Sequence, residues 1–257
     1  MQAELTGKTA VVTGSSRGIG RAIALELAEA GAHVLIHARA STSAAEEVAE
    51  AVRRQGCEAA VIPADLADPA AFGPLVEQAW SWRGGIDIWI NNAGGDVLTG
   101  EAAEWAFEEK LDYLWRVEVR GTACLSRLVG PRMQAAYRGG DRPVILNMGW
   151  DQAEQGMGGD SGELFAAVKG GVMAFSRSLA RSLAPEVRVN CLAPGWIRTA
   201  WGERASDFWQ EHARNDSLLG RWGTPEDVAR VARFLASPAA EFVNAQVVPI
   251  NGGFRHG

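Results

Sequence analysis

A chain of 257 residues can form one large α/β domain or two small domains, and its 47% of apolar residues can build a sizeable buried core. The net charge of −6 excludes the basic footprint of a protein that binds nucleic acid or an anionic membrane, and no apolar run reaches the roughly 18 residues of a membrane span. The three cysteines form no CxxC pair and the four histidines lack metal-ligand spacing, so we expect reduced thiols and no metal. Because the first residues lack the basic and apolar regions of a secretory signal, we expect a cytoplasmic protein.

Seven short apolar runs predict β-strands, and the segments between them have helical periodicity. The predicted strands are residues 9–13, 33–37, 59–63, 86–90, 144–148, 187–192 and 247–250. The predicted helices are residues 21–30, 44–55, 69–83, 101–133, 163–183 and 225–235. Thr224 is the expected N-cap of the last helix, because Pro225 follows it in the first turn. Strands that alternate with such helices imply right-handed crossovers, so we predict a single α/β domain with a doubly wound, seven-stranded parallel sheet and helices on both faces.

Two segments have no regular pattern, residues 149–162 and residues 196–220. Each follows a predicted strand, so both should lie at the carboxyl edge of the sheet, where open α/β sheets bind ligands. The second segment holds three of the ten tryptophans, Trp196, Trp201 and Trp209. These rings could form a lid over a small-molecule ligand, or they could pack against the body of the protein or a neighbouring subunit.

A glycine-rich turn, TGSSRGIG, joins the first strand to the first helix between residues 13 and 20. Glycine permits positive φ and a close approach of the backbone to a pyrophosphate, and the helix N-terminus presents free N–H groups to the phosphates. In this strand-turn-helix context the pattern predicts a Rossmann-type site for a dinucleotide. Its candidate residues are Gly14, Ser16, Arg17, Gly18, Ile19 and Gly20.

The end of the second strand indicates which dinucleotide binds. An acidic side chain there would bind the 2′-hydroxyl of the NAD ribose, but the sequence is His37-Ala38-Arg39. Arg39 and Arg17 could instead hold a 2′-phosphate, for which the guanidinium group is well suited. We therefore expect NADP(H) rather than NAD(H). The alternative is that both arginines are solvated surface residues.

Further motifs follow in chain order. They are Asp65-Leu66 after the third strand, Asn91-Asn92-Ala93-Gly94 after the fourth, Val187-Arg188-Val189-Asn190 in the sixth, Ala193-Pro194-Gly195 and then Thr199, residues 220–229, and Asn251-Gly252-Gly253. With the glycine turn, they resemble the short-chain dehydrogenase/reductase family, in particular its 3-oxoacyl-carrier-protein reductases, over nearly the whole chain. The resemblance implies a nicotinamide-dependent oxidoreductase for a small carbonyl or alcohol compound. It also implies a homotetramer or homodimer built through apolar faces of the long helices after the fourth and fifth strands.

The resemblance assigns roles to single residues. Asp65 would contact the adenine edge beside Leu66, and Lys169 would reach the hydroxyls of the nicotinamide ribose. The residues that would line the cofactor and brace the central strand are Asn91, Ala93 and Gly94. The residues that would flank the nicotinamide and its phosphates are Pro194, Gly195, Ile197 and Thr199.

The catalytic positions depart from the family pattern. In the family, a Tyr four residues before the lysine protonates the substrate oxygen, a Ser orients that oxygen, and an Asn holds a relay water. Here Phe165 stands four residues before Lys169, while Glu118 falls at the Asn position and Trp150 at the Ser position. Since Phe has no ionisable proton, we expect the ordinary tyrosine-dependent reaction to be lost.

Another carboxyl group could supply the proton. The loop after the fifth strand is about two residues longer than in the family, so Asp151 or Gln152 could take the Ser position. We expect Asp151, Glu154 and Asp160 to be solvated, whereas the Glu118 position faces the family's active site. Glu118 could act as the acid, or it could form a structural ion pair with Lys169.

The remaining alternative is a protein that binds NADP(H) without turnover, as a regulatory or partner subunit would. Intact cofactor motifs beside an altered proton relay are compatible with this interpretation. The sequence leaves the two alternatives open.

Overall fold

The computed structural model describes residues 4–40 and 42–254, in which seven strands form one sheet. The strands are β1 (Thr9–Val12), β2 (His33–Ala38), β3 (Ala59–Pro63), β4 (Ile88–Asn91), β5 (Val144–Met148), β6 (Arg188–Pro194) and β7 (Val247–Ile250). Every neighbouring pair is parallel, and the strand order is β3-β2-β1-β4-β5-β6-β7. The predicted fold class is confirmed.

The helices connect the strands. They are α1 (Gly18–Glu29), α2 (Thr42–Arg54), α3 (Phe72–Arg83), α4 (Phe107–Leu114), α5 (Gly121–Ala136), α6 (Asp160–Leu183), α7 (Ala200–Arg204), α8 (Asp207–Asp216) and α9 (Pro225–Ala236). A π-helical turn, Trp115–Arg120, joins α4 to α5, so the predicted helical stretch 101–133 is not uniform. The segment 196–220, predicted to be irregular, contains α7 and α8. Thr224 caps α9 as predicted, with its side chain accepting from the N–H of Asp227.

Side chains alternate between the two faces of the sheet, as the period of a β-strand requires. In β1, Ala10 and Val12 join a core cluster that also contains residues of α1, α2 and α9. Val11 joins the opposite cluster, with residues of α3, α5 and α6. Because both faces are covered, the strands are continuous apolar runs and their carboxyl ends form an open edge.

The apolar faces expected to form an oligomer interface are largely used inside the chain. Val117, Leu125 and Val129 on one side, and Leu179 and Leu183 on the other, are buried in the same core cluster. Core packing therefore accounts for this periodicity, and the homo-oligomer stays a prediction. Within the described ranges, no helix is long and apolar enough to cross a membrane.

Candidate functional site

A cleft of about 630 Å³ lies at the carboxyl edge of the sheet, beside the ends of β1 to β4. Its walls include eight of the seventeen predicted cofactor residues, namely Gly14, Ser16, Arg17, Arg39, Asp65, Leu66, Ala93 and Gly94. The cleft therefore lies where the sequence predicted a dinucleotide site.

The glycine turn has the geometry of a phosphate cradle. Gly14 and Gly18 have positive φ, +63° and +55°. A Cβ added at Gly14 would lie 2.8 Å from the Cα of Ala93, and one at Gly20 would overlap the Gly14 carbonyl. No side chain caps the N-terminus of α1, so the first N–H groups of the helix remain for an anion. These features fit the pyrophosphate of a dinucleotide.

His37 fixes the glycine turn to the second and third strands, a role that the sequence did not reveal. Its Nδ1 accepts from the N–H of Gly14 at 3.0 Å, and its Nε2 lies 3.0 Å from the carbonyl oxygen of Ala64. Since Nδ1 accepts, Nε2 carries the proton. Burial lowers the pKa of His37 to about 4, although the bond to Ala64 and the charge of Asp65 act in the opposite direction. The ring is therefore neutral at physiological pH.

Asn92 holds the other side of the same turn, and it too was missing from the predicted site. Its Nδ2 donates to the carbonyl oxygens of Thr13 (2.9 Å) and Gly14 (3.1 Å). The neighbouring Asn91 is buried, and its Nδ2 donates to Ser126 Oγ at 2.9 Å and Asn147 Oδ1 at 2.8 Å. The Asn91 side chain thus braces the central strands, whereas Asn92 shapes the turn.

The charged groups of the cleft wall include two arginines, Arg17 and Arg39, and the carboxylate of Asp65. Arg39 follows β2 directly, and its Nη1 donates to the hydroxyl of Tyr113 at 2.7 Å. Arg17 is exposed at the start of α1. Asp65 lines the cleft, and its Oδ1 accepts from the N–H of Ala67 at 2.9 Å, which makes it a turn residue as well. The end of β2 itself carries no acid.

Lys169 and Glu118 form a buried ion pair, with Nζ and Oε2 at 2.6 Å and with 13% and 3% of their side chains exposed. Lys169 also donates to the carbonyl oxygen of Met148 at 3.2 Å, and Glu118 Oε1 accepts from the N–H of Gly95 at 3.1 Å. The π-helical turn carries Glu118. Of the two roles that the sequence left open for Glu118, this geometry matches the structural ion pair.

Phe165 and Trp150 lie against each other, with ring centroids 6.3 Å apart and planes at 65°. Phe165 lies one helical turn before Lys169 on α6, so both side chains are on the same face of the helix. Neither ring has a hydroxyl group, and the indole N–H of Trp150 is the one donor of the pair.

Asp151 is not the solvated loop residue that we expected. Its Oδ2 accepts from Asn251 Nδ2 at 3.0 Å, while its buried Oδ1 has no partner among the described residues. Burial raises the pKa of Asp151 to about 6, although hydrogen bonds from Asn251 and from the backbone of Gln152 and Asp151 act in the opposite direction. The neighbouring Glu154 is exposed and pairs with Arg177, as expected for a solvated carboxylate. Asp160, at the start of α6, is also exposed.

The predicted nicotinamide-side residues Pro194, Gly195, Ile197 and Thr199 lie together at the end of β6. A Cβ added at Gly18 would lie 3.9 Å from Thr199 Cγ2, so this segment reaches the glycine turn. The tryptophans that follow pack on one another. Trp196 has its ring centroid 6.2 Å from Trp201 and 5.5 Å from Trp209. The indole N–H of Trp196 donates to Asp216 Oδ2 at 3.1 Å.

Known proteins match this chain over nearly its whole length. A family model described as enoyl-(acyl-carrier-protein) reductase matches residues 14–255. The 3-oxoacyl-(acyl-carrier-protein) reductase FabG of Staphylococcus aureus is 32% identical over 250 residues, which are 96% of this chain and 97% of the relative. A short chain dehydrogenase from Burkholderia cenocepacia, solved in complex with NADP, has 31% identity and a TM-score of 0.86, and the match covers 97% of this chain and 98% of the other. A 7α-hydroxysteroid dehydrogenase complexed with NADH and 7-oxoglycochenodeoxycholic acid has 29% identity and a TM-score of 0.88, with 98% and 96% covered.

Proposed function

The chain belongs to the short-chain dehydrogenase/reductase family of oxidoreductases, and from that premise we propose that it binds NADP(H) in the cleft beside the glycine turn. The observation that supports this cofactor is the pair Arg17 and Arg39 in the cleft, together with the missing acid at the end of β2. A guanidinium group binds a 2′-phosphate, whereas an acid would select the free 2′-hydroxyl of NAD.

Titration with the two reduced cofactors tests this proposal. We expect NADPH to bind more tightly than NADH, and Arg39→Ala to weaken NADPH binding by about tenfold or more, because a hydrogen bond to a charged group contributes about 1.5–3 kcal/mol. The change in nicotinamide fluorescence gives both dissociation constants. Tighter binding of NADH by the wild-type protein would contradict the assignment.

We further propose that the protein interconverts a small carbonyl compound and its alcohol without a tyrosine acid. When bound, the dinucleotide supplies a hydride to the carbonyl carbon. The carbonyl oxygen then needs a proton, and Phe165 has none to give. Asp151 is the candidate donor, because a Cβ added at Gly195, a predicted nicotinamide-side residue, would lie 2.8 Å from its Oδ2, and because the pKa of its carboxyl group is raised to about 6.

The pH dependence of reduction tests the role of Asp151. An acid must be protonated to donate, so we expect kcat/KM for carbonyl reduction to fall as the pH rises above about 6. Asp151→Asn should lower the rate by about 10²–10⁴ and remove this dependence. Glu154→Gln, in the same loop but exposed, is the matched control and should leave the profile unchanged. An unchanged profile in Asp151→Asn would eliminate this carboxyl group as the donor.

The second candidate function is NADP(H) binding without turnover, as in a regulatory or partner subunit. Two observations favour it. Glu118 neutralises the charge of Lys169, and the apolar rings of Phe165 and Trp150 stand at the family's Tyr and Ser positions.

A substrate screen separates the two candidates. Aldehydes, ketones and 3-oxoacyl thioesters are assayed with NADPH, and the Staphylococcus aureus relative serves as the positive control. The first candidate predicts turnover of at least one compound in the panel, and Asp151→Asn should lower that turnover by about 10²–10⁴ because it removes the positioned acid. Turnover of no compound in the panel would favour the second.

A further inference from the structure

A hydrogen bond links two distant segments that line the cleft. Arg39 follows β2, and Tyr113, 74 residues later, belongs to α4. The guanidinium Nη1 donates to the phenol oxygen at 2.7 Å, and both residues line the cleft. Arg39 is exposed and forms no ion pair within residues 4–40 and 42–254. The phenol of Tyr113 therefore determines where this guanidinium group rests.

The ring of Tyr113 is itself held in place on two sides. A Cβ added at Gly95 would lie 2.7 Å from Tyr113 Cε1, so the ring rests directly on the glycine backbone. The ring of Trp105 meets it edge to face, with centroids 5.6 Å apart and planes at 88°. Tyr113 also packs against two separate clusters of buried apolar residues. Its hydroxyl group is thus a fixed acceptor at the cleft wall, whereas the Arg39 side chain that it binds is long and exposed.

We propose that Tyr113 is a positioning residue that holds Arg39 ready for the 2′-phosphate of the dinucleotide, and that it thereby sets the preference for NADP(H) over NAD(H). The inference rests on the cofactor assignment of the proposed function. A guanidinium group has five N–H donors, and the bond to Tyr113 uses one of them, which leaves the others for a phosphate. A side chain that is already immobilised loses less conformational entropy when the phosphate binds. NAD(H) has no 2′-phosphate and gains nothing from this arrangement.

The substitution Tyr113→Phe removes the phenol oxygen and keeps the ring. Dissociation constants are measured for NADPH and NADH, and for adenosine 2′,5′-bisphosphate and 5′-AMP, which differ only in the 2′-phosphate. We expect NADPH and the bisphosphate to bind about two- to tenfold more weakly, which corresponds to the cost of immobilising one long side chain, and NADH and 5′-AMP to be unaffected. The ratio of the two constants is independent of the folded fraction, because both ligands are measured on one preparation.

The chain provides its own matched control. Tyr137 is its second and last tyrosine, and its hydroxyl donates to the Gly140 carbonyl at 3.0 Å on the exposed end of α5. Tyr137→Phe should leave all four constants unchanged. In the background of Arg39→Ala, Tyr113→Phe should cause no further loss of NADPH affinity, since the group that it positions is gone.

The outcomes are distinct. If Tyr113→Phe loses affinity for NADPH and NADH equally, Tyr113 only lines the cleft and the inference is overturned. An unchanged or raised preference of this variant for NADPH would overturn it as well. If the wild-type protein itself binds NADH as tightly as NADPH, the cofactor proposal fails. If the wild-type protein prefers NADPH and Tyr113→Phe has the same ratio of NADH to NADPH dissociation constants, the cofactor proposal stands and the inference alone fails.

Discussion

The charge of Lys169 is compensated within this chain by a carboxylate. A buried ammonium group without a counter-charge is costly, and here Glu118 supplies the counter-charge at 2.6 Å. The carboxylate has a second partner in the N–H of Gly95, so both of its oxygens are engaged. Removing the charge of Glu118 would leave the ammonium group buried with one carbonyl acceptor, that of Met148.

We therefore expect Glu118→Gln to lower the free energy of unfolding by about 3 kcal/mol, a value at the low end for a broken buried pair because Lys169 keeps some exposure. Urea denaturation measures this change. The comparison is Glu154→Gln, which breaks an exposed pair with Arg177 and should cost less than about 1 kcal/mol. Equal and small losses in the two variants would show that the Glu118–Lys169 pair contributes little to stability.

Single residues could be predicted from the sequence where their spacing is local. The family resemblance places Phe165 at the position four residues before Lys169, which lies one helical turn away on α6. The roles of His37 and Tyr113 were missed and the burial of Asp151 was predicted wrongly, because their partners Gly14, Arg39 and Asn251 are distant along the chain. No local pattern carries such contacts.

Among the secondary-structure elements, those with many buried residues were the ones that the sequence predicted. The strands and the amphipathic helix α9 present strong apolar patterns, and Thr224 marks the start of α9 by its capping chemistry. By contrast, α8 has ten residues, of which Ala213 alone is fully buried, so its apolar pattern is short. The helix therefore lay unrecognised in a segment predicted to be irregular.

The π-helical turn Trp115–Arg120 shows a second limit. A π-helical turn changes the direction of the side chains that follow it, without any change in composition. Both Val117 and Glu118 in this turn are buried, Val117 at the cleft and Glu118 at Lys169. The sequence located Glu118 near the site by resemblance and left open whether it acts as an acid or pairs with Lys169, and the structure shows the pair.

At the scale of the whole molecule, two buried groups make opposite contributions to the pH dependence of stability. The pKa of His37 is lowered to about 4, so between about pH 4 and 6.5 the unfolded chain binds a proton there and the folded chain does not. The His37 contribution therefore lowers the free energy of unfolding by up to about 3 kcal/mol as the pH falls through that window. The pKa of Asp151 is raised to about 6, so between about pH 4 and 6 the folded chain binds the extra proton and gains stability on acidification.

We expect the two contributions to offset each other between about pH 4 and 6 in the wild-type protein. Asp151→Asn removes one of them, so the free energy of unfolding of this variant should fall more steeply below pH 6 than that of the wild type. Urea denaturation at intervals of half a pH unit measures the slope. Parallel curves for the two proteins would refute the compensation.

The ion pair between Glu118 and Lys169 also limits how this site can be changed stepwise. In the family, the positive charge of the lysine lowers the pKa of the tyrosine. Phe165→Tyr alone would place a phenol beside a lysine whose charge is already compensated, and Glu118→Asn alone would leave that charge without compensation. The effects of the two substitutions are therefore not independent, because both positions act on the charge of Lys169. A route from this site to the tyrosine-dependent site therefore requires both changes together, as well as a hydroxyl group at the position of Trp150.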